Sequence, residues 1–244
     1  MTTPVVRLAL ADITATLCTR FDVLMLLEKI ATTAHDAYGA RGVVIGLLDD
    51  GGELHTAVTT PVAQAAVHGP LLTEGPILES ARETAVAVLA DTGSTVQGRW
   101  RTFAETARAA GVGAVRAYPI TSLGVGLGSL AVHAAQPWDT DRPDDVGATL
   151  ADLAALALTI GTDDDRRRRP AAAIREVLST AARLAAATGV VAEVFGDDVG
   201  DARARLRTLA RARGLSDAAY AGALVELLDR MPERLAGNPL FDEG

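Results

Sequence analysis

Cysteine is nearly missing from this chain: Cys18 stands alone among 244 residues. A lone thiol excludes a disulfide framework and fits a reducing compartment, so the cytoplasm is the expected location. Lysine is as scarce, because Lys29 is the single lysine among 23 basic residues. Such an arginine- and alanine-rich composition is typical of a GC-rich genome, and it warns against assigning every arginine a role. No apolar run reaches the ~18 residues needed to cross a bilayer. The nearest, Val146 to Ile160, is interrupted by Asp152, and the N-terminus lacks the basic-then-apolar pattern of a signal peptide. No membrane association is expected.

The motifs of catalysis are missing too. His35, His55, His68 and His133 are scattered with neither metal-ligand spacing nor a cysteine partner, so no metal site is expected. There is no Ser-His-acid pattern and no nucleophile elbow. Glu74, Glu79 and Glu83 fit exposed helix carboxylates as well as a pocket wall. No catalytic residue emerges, and no enzyme is expected. Gly124-Val125-Gly126-Leu127-Gly128 has the look of a phosphate-binding loop, but that mechanism needs a strand before it and a helix N-terminus after it. Here strand-like sequence lies on both sides, which favours a hairpin turn.

What the chain does have is apolar residues, 49% of the total, enough for one large domain or two modest ones. Its net charge of −8 is unevenly spread. Residues 1–161 carry 10 basic and 17 acidic side chains, net −7. Residues 166–213 carry 11 arginines against Glu176, Glu193, Asp197, Asp198 and Asp201, net +6. The acidic balance argues against bulk nucleic-acid binding, whereas the local excess permits it.

Periodicity supplies the elements. Leu8, Ile13, Leu17, Phe21, Leu24, Leu27 and Ile30 predict a helix over residues 5–38, stopped by Gly39. Val43–Leu48 and Leu54–Thr59 predict strands joined through the turn Asp49-Asp50-Gly51-Gly52. A helix is expected within 61–68, ended by Gly69-Pro70, and another from Pro76 through Glu83. A strand at Ala85–Leu89 and a helix from Trp100 to Ala110 follow. Then come strands at Val115–Ile120 and Leu127–Ala134, and, after Pro143, a helix to Ile160. Hairpins with helices packed on the sheet make an α+β domain.

Beyond Pro170 the pattern is helical throughout. Ile174 to Phe195 forms one helix closed by Gly196, Asp201 to Arg213 a second, and Asp217 to Arg230 a third, capped by Ser216. A unit of about 70 residues has a thin core, so help from a partner chain is expected. On its second helix Arg203, Arg207 and Arg211 recur at four-residue steps, stacking along one face without an acid at i±4 from Arg207 or Arg211. Such an unpaired row suits phosphate contact; an arginine-rich solvated face is the other account of it.

The first 160 residues resemble a GAF domain, a small-molecule sensor module. The resemblance rests on Phe21-Asp22-Val23-Leu24, Ala40-Arg41-Gly42-Val43-Val44 and Glu74-Gly75-Pro76 with Glu79. It continues through Trp100-Arg101-Thr102-Phe103, Ala110-Gly111-Val112, Ala117-Tyr118-Pro119 and Gly128-Ser129-Leu130. Residues 172–228 resemble ANTAR, a three-helix RNA-binding module, through Ala187-Thr188-Gly189-Val190-Val191, Gly200-Asp201-Ala202, Leu206-Arg207, Ala210 and Leu215-Ser216-Asp217. Proteins combining the two bind paired hairpins in nascent RNA as dimers and prevent transcription termination.

The resemblance implies a GAF-like sensor domain (1–161), an ANTAR-like domain (171–235) and a tail (236–244). In the family the passage between the two domains is helical, whereas here Gly161, the acidic run and Pro170 predict an interrupted, charged linker (162–170). It implies RNA contact by Arg203, Arg207, Arg211 and Arg213, and packing roles for Ala187, Gly189 and Ala202. No cofactor is implied beyond an unidentified small-molecule ligand, whose pocket would be lined by Ile77, Trp100, Phe103 and Tyr118. The same four residues also suit a plain core. Thr188 stands where the family commonly has lysine, Arg203 where it has an aromatic, and Ile77 where many relatives carry cysteine. The missing lysine and the acidic pair Asp197-Asp198 favour an alternative, a signalling protein whose helical unit serves dimerisation or docking without RNA.

Overall fold

The computed structural model describes residues 4–60, 75–93, 100–138, 144–160, 163–230 and 239–241. The expected helix within 61–68, its Gly69-Pro70 stop, Glu74 and His68 lie outside the described residues. The chain divides into two compact units, Met1–Leu178 and Ser179–Gly244.

In the first unit, helices α1 (Pro4–Leu17) and α2 (Val23–Tyr38) replace the single helix expected over 5–38. The break arises because the Asp22 carboxylate accepts the Met25 backbone N–H at 3.0 Å, starting a new helix where the apolar spacing continues unaltered. Gly39 ends α2 as expected, in the left-handed conformation with φ 55°.

Among the described residues, β1 (Gly42–Leu48), β2 (Leu54–Thr59), β3 (Ala87–Leu89), β4 (Ala114–Ser122) and β5 (Val125–Ala134) form one antiparallel sheet in the order β2-β1-β5-β4-β3. The β1–β2 turn is closed by Asp49, whose Oδ1 accepts the N–H groups of Gly51 and Glu53, each at 2.9 Å. The glycine-rich stretch between β4 and β5 is a two-residue hairpin turn: Leu123 and Gly124 both have positive φ, 52° and 78°. That geometry matches the twist of the flanking strands, and it settles the stretch as a turn.

Helices α3 (Pro76–Glu83) and α4 (Arg101–Ala109) cover one sheet face. There Ile77, Ala81, Phe103, Ala104 and Ala107 pack against Val44, Val115, Ala117 and Ala131. Helix α5 (Asp144–Thr159) and α2 pack together on the opposite face, with Leu27, Ile30, Leu150 and Leu158 fully buried.

Helix α6 (Asp163–Phe195) runs through Pro170, so residues 163–170 are helical and the expected interruption at the proline does not occur. An internal proline costs about 3 kcal/mol locally, but Arg166–Arg169 and Ala171–Ala173 on either side are strong helix formers. The unit boundary falls inside this helix, between Leu178 and Ser179.

The second unit packs the rest of α6 with α7 (Val199–Ala212) and α8 (Asp217–Arg230). Gly196 closes α6 with φ 69°. Asp198 caps α7 by accepting the Asp201 N–H at 2.9 Å, and Ser216 Oγ caps α8 by accepting that of Ala219 at 3.2 Å. The core joins Ala187, Val190 and Val191 to Ala202, Leu206, Leu209, Tyr220 and Leu224. By length and composition alone Ile174–Phe195 is long and apolar enough to cross a membrane, unlike Val146–Ile160, the nearest run expected from sequence. Ala187, Val190 and Val191 of this helix are buried with residues of α7 and α8, while 28% of its apolar window is buried in all.

The segment expected as a tail also enters this core. Pro239–Phe241 forms a 3₁₀ turn, Phe241 is buried and meets Phe195 edge-on at 6.1 Å, and the Tyr220 hydroxyl donates to the Leu240 carbonyl. A thin three-helix core is thus supplemented by the chain's own C-terminal turn.

Candidate functional site

Three of the four residues expected to line a pocket come together. Gly75 has φ 110°, a conformation that side chains rarely adopt, and Pro76 follows as the first residue of α3, where its missing N–H costs nothing. A Cβ on Gly75 would stand 2.3 Å from the Phe103 ring, so the ring lies directly on bare backbone. Phe103 and Ile77 are buried, and partly buried Trp100 packs at the edge of the same cluster. Trp100 Nε1 donates to Glu79 Oε2 at 3.1 Å, fixing the indole to α3. Ile77 and Phe103 therefore already act as core.

Tyr118 sits elsewhere. Side chains alternate along a strand, and because Val115 and Ala117 face α3 and α4, Arg116 and Tyr118 face the other layer. The Tyr118 and Tyr38 hydroxyls are 3.1 Å apart, and the Tyr38 hydroxyl accepts the Gly147 N–H at 2.8 Å. The Tyr118 ring presses on Gly147, where a Cβ would approach to 2.3 Å. Arg116 stacks 5.5 Å from the Trp138 ring and 6.0 Å from that of Tyr118. Tyr38, Arg116, Trp138 and Gly147 were not singled out from sequence, although the two-residue step from Arg116 to Tyr118 places both on one strand face.

The histidines have separate environments. His133 is buried, and burial pulls its imidazole down to about 4. His55 Nε2 lies 2.8 Å from Asp49 Oδ2, and the ligand atoms of Asp49, Glu53 and His55 fall within 4.8 Å of one another. Cysteine and histidine spacing alone does not reveal this group, because its other members are carboxylates. The Glu53 N–H first, then the bond from His55, hold the Asp49 carboxyl below its usual range. Both Asp49 oxygens are thereby engaged in closing the β1–β2 turn.

The arginine row lies on α7, whose buried face is Ala202, Leu206, Leu209 and Ala210. Each four-residue step advances about 40° around a helix. The row therefore drifts from half-buried Arg203 and Arg207 to exposed Arg211. It is not unpaired as the spacing implied: Arg207 Nε lies 3.4 Å from Asp217 Oδ2, at the start of α8. Acids at i±4 are the partners that a single helix reveals, and this one comes from the next helix. Arg213, the fourth expected RNA contact, lies off the row, donating to the Leu209 carbonyl at 3.1 Å and stacking 5.6 Å from the Tyr220 ring. Arg205, between the row's members in sequence, locks Asp197 through Nε at 2.6 Å and stacks 4.5 Å over Phe195. Ala187 and Ala202 are fully buried packing positions. Gly189 is exposed, and a Cβ there would touch nothing within 4 Å, so close helix approach does not account for it.

Comparison with curated protein sequences finds no match. Among solved structures, a GAF domain from an Acinetobacter phosphoenolpyruvate-protein phosphotransferase is 14% identical, over 72% of this chain and 96% of its own, with a TM-score of 0.47. A GAF domain region from Geobacter sulfurreducens PCA is 17% identical, over 62% of this chain and 98% of its own, with a TM-score of 0.49. Free methionine-R-sulfoxide reductase from Neisseria meningitidis, in complex with its substrate, is 17% identical over 70% of this chain and 90% of its own, with a TM-score of 0.46. The sequence profile of the GAF domain matches residues 22–158, from the cap of α2 almost to the end of α5. That match spans more than half of the chain and coincides with the helix-flanked antiparallel sheet: the chain belongs to the GAF domain family.

Proposed function

We propose that this GAF-domain protein is a cytoplasmic, non-enzymatic sensory regulator whose C-terminal helical unit binds hairpins in nascent RNA, as a homodimer, to control transcription termination. The observation that carries the reading is the row Arg203, Arg207 and Arg211 on α7, half-buried at its first two members and exposed at Arg211. It lies within a stretch of net +6 in a chain of net −8. A local cationic row neutralises phosphates whatever the overall charge, and arginine does so with paired N–H donors. The resemblance of residues 172–228 to ANTAR supports the same reading.

The GAF domain supplies the sensing part. Ile77 and Phe103 are already packed, so a small molecule on the α3–α4 side would engage the rim where Trp100 meets Glu79. The test is a binding titration of wild type and Arg207→Ala with paired RNA hairpins over a salt series. Wild type binds with a steep salt dependence, and the variant binds more weakly with a shallower slope. Weak, salt-insensitive binding by both proteins would sink the RNA reading.

A further inference from the structure

We propose that Asp217 is a selectivity residue for the α7 arginine row, an internal carboxylate that an incoming polyanion must displace to gain Arg207. This rests on the reading of the row as a phosphate-contacting surface. Arg207 is the central member, one helical step from Arg203 and one from Arg211. An acid from another helix holds it, with Nε 3.4 Å from Asp217 Oδ2 and side chains 43% and 29% exposed. Asp217 opens α8 directly after the Ser216 cap, so its short side chain starts from a fixed point beside α7. The pair is open enough for exchange with solvent anions, and half-exposed pairs of this kind are held only weakly.

The consequence is a threshold. A single small anion offers one contact and must compete with a tethered carboxylate for Arg207. A polyanion first engages exposed Arg211 and then takes Arg207 from Asp217 by local concentration. The row therefore discriminates by the number of phosphates presented together, and Asp217 sets that discrimination without touching the ligand in the bound state.

The experiment measures binding of the full chain to a paired RNA hairpin and, separately, to inorganic polyphosphate and inorganic phosphate. The proteins are wild type, Asp217→Asn, Arg207→Met and the double variant. Glu226→Gln is the charge-matched control, because Glu226 pairs with Arg230 at 3.7 Å on α8 instead of joining the row. Removing the competitor should tighten polyanion binding roughly two- to fivefold, the range of an exposed pair. The salt slope should stay close to the wild-type value, because Arg207 reaches its phosphate in both complexes. The gain should vanish when Arg207 is absent and exceed that of Glu226→Gln.

Wild-type RNA binding with equal gains from Asp217→Asn and Glu226→Gln, or a gain that persists without Arg207, overturns the proposal and leaves the RNA reading standing. An Arg207-dependent gain on polyphosphate with no RNA binding supports the gate and overturns the RNA reading. Binding of neither polyanion by any of the proteins overturns both. Circular dichroism melts that coincide for all variants confirm that folding is not the variable.

Discussion

Lowering the pH from 7 to 5 should weaken the GAF unit through one buried side chain, His133. It lies in β5 opposite Gly42 of β1 and Val115 of β4, and its Nδ1 has no hydrogen-bond partner among the described residues. Burial disfavours the charged imidazolium and brings the group from 6.5 down to about 4. Between those two values the unfolded chain binds a proton that the folded chain refuses, so stability falls as pH falls through this window. At 1.36 kcal/mol per pH unit the full loss is roughly 3 kcal/mol, of which roughly 2 is reached by pH 5.

Urea unfolding followed by tryptophan fluorescence reads this unit selectively, because Trp100 and Trp138 both lie within Met1–Leu178. His133→Leu keeps the carboxylates and removes the imidazole, so wild type should lose roughly 2 kcal/mol more than the variant between pH 7 and 5. Equal losses would refute the reasoning. So would a wild-type His133 proton resonance titrating above pH 6, a measurement that holds even if the variant folds poorly.

Leu123 is an exposed leucine held at φ 52°, so Leu123→Asn should raise the unfolding free energy of the first unit by roughly 1 kcal/mol, read from the same urea curves. Two helical glycines should respond oppositely to alanine. Gly147→Ala drives a methyl into the Tyr118 ring and should destabilise by about 1–3 kcal/mol, whereas Gly189→Ala enters open space and should stabilise by about 0.5–1 kcal/mol in thermal melts. Truncation before Pro239 strips Phe241 and the Tyr220 acceptor from the second core. It should destabilise that unit by at least about 2 kcal/mol, visible as an earlier loss of helical circular dichroism.

Local chemistry was legible in the sequence wherever a few adjacent residues decide the backbone. Gly39, Gly196, Pro76 and the Asp49 turn all act as their residue types require. The break at Asp22 was hidden because the apolar spacing runs on across it, and only the capping bond reveals it. Pro170 misled for the opposite reason: a local rule was overridden by the helix formers on both sides. Tyr118 was assigned to the wrong layer because its pairing with Ile77 and Phe103 ignored strand alternation. The Arg207–Asp217 pair joins two helices through a turn, and no spacing rule within one helix can see such a contact.

The bond between Tyr38 and Tyr118 spans 80 residues, and the one from Gly147 to Tyr38 spans 109. β1 waits across a similar interval for β5, its second neighbour in the sheet. During synthesis the first hairpin emerges with one edge of β1 open, and only the nearly finished domain can cover it. Contacts between such distant residues form late, and an open apolar strand edge is a template for unwanted pairing. The vulnerable interval for this protein on the ribosome runs from the completion of β2 to the arrival of β5, and a pause in translation within that span would lengthen it.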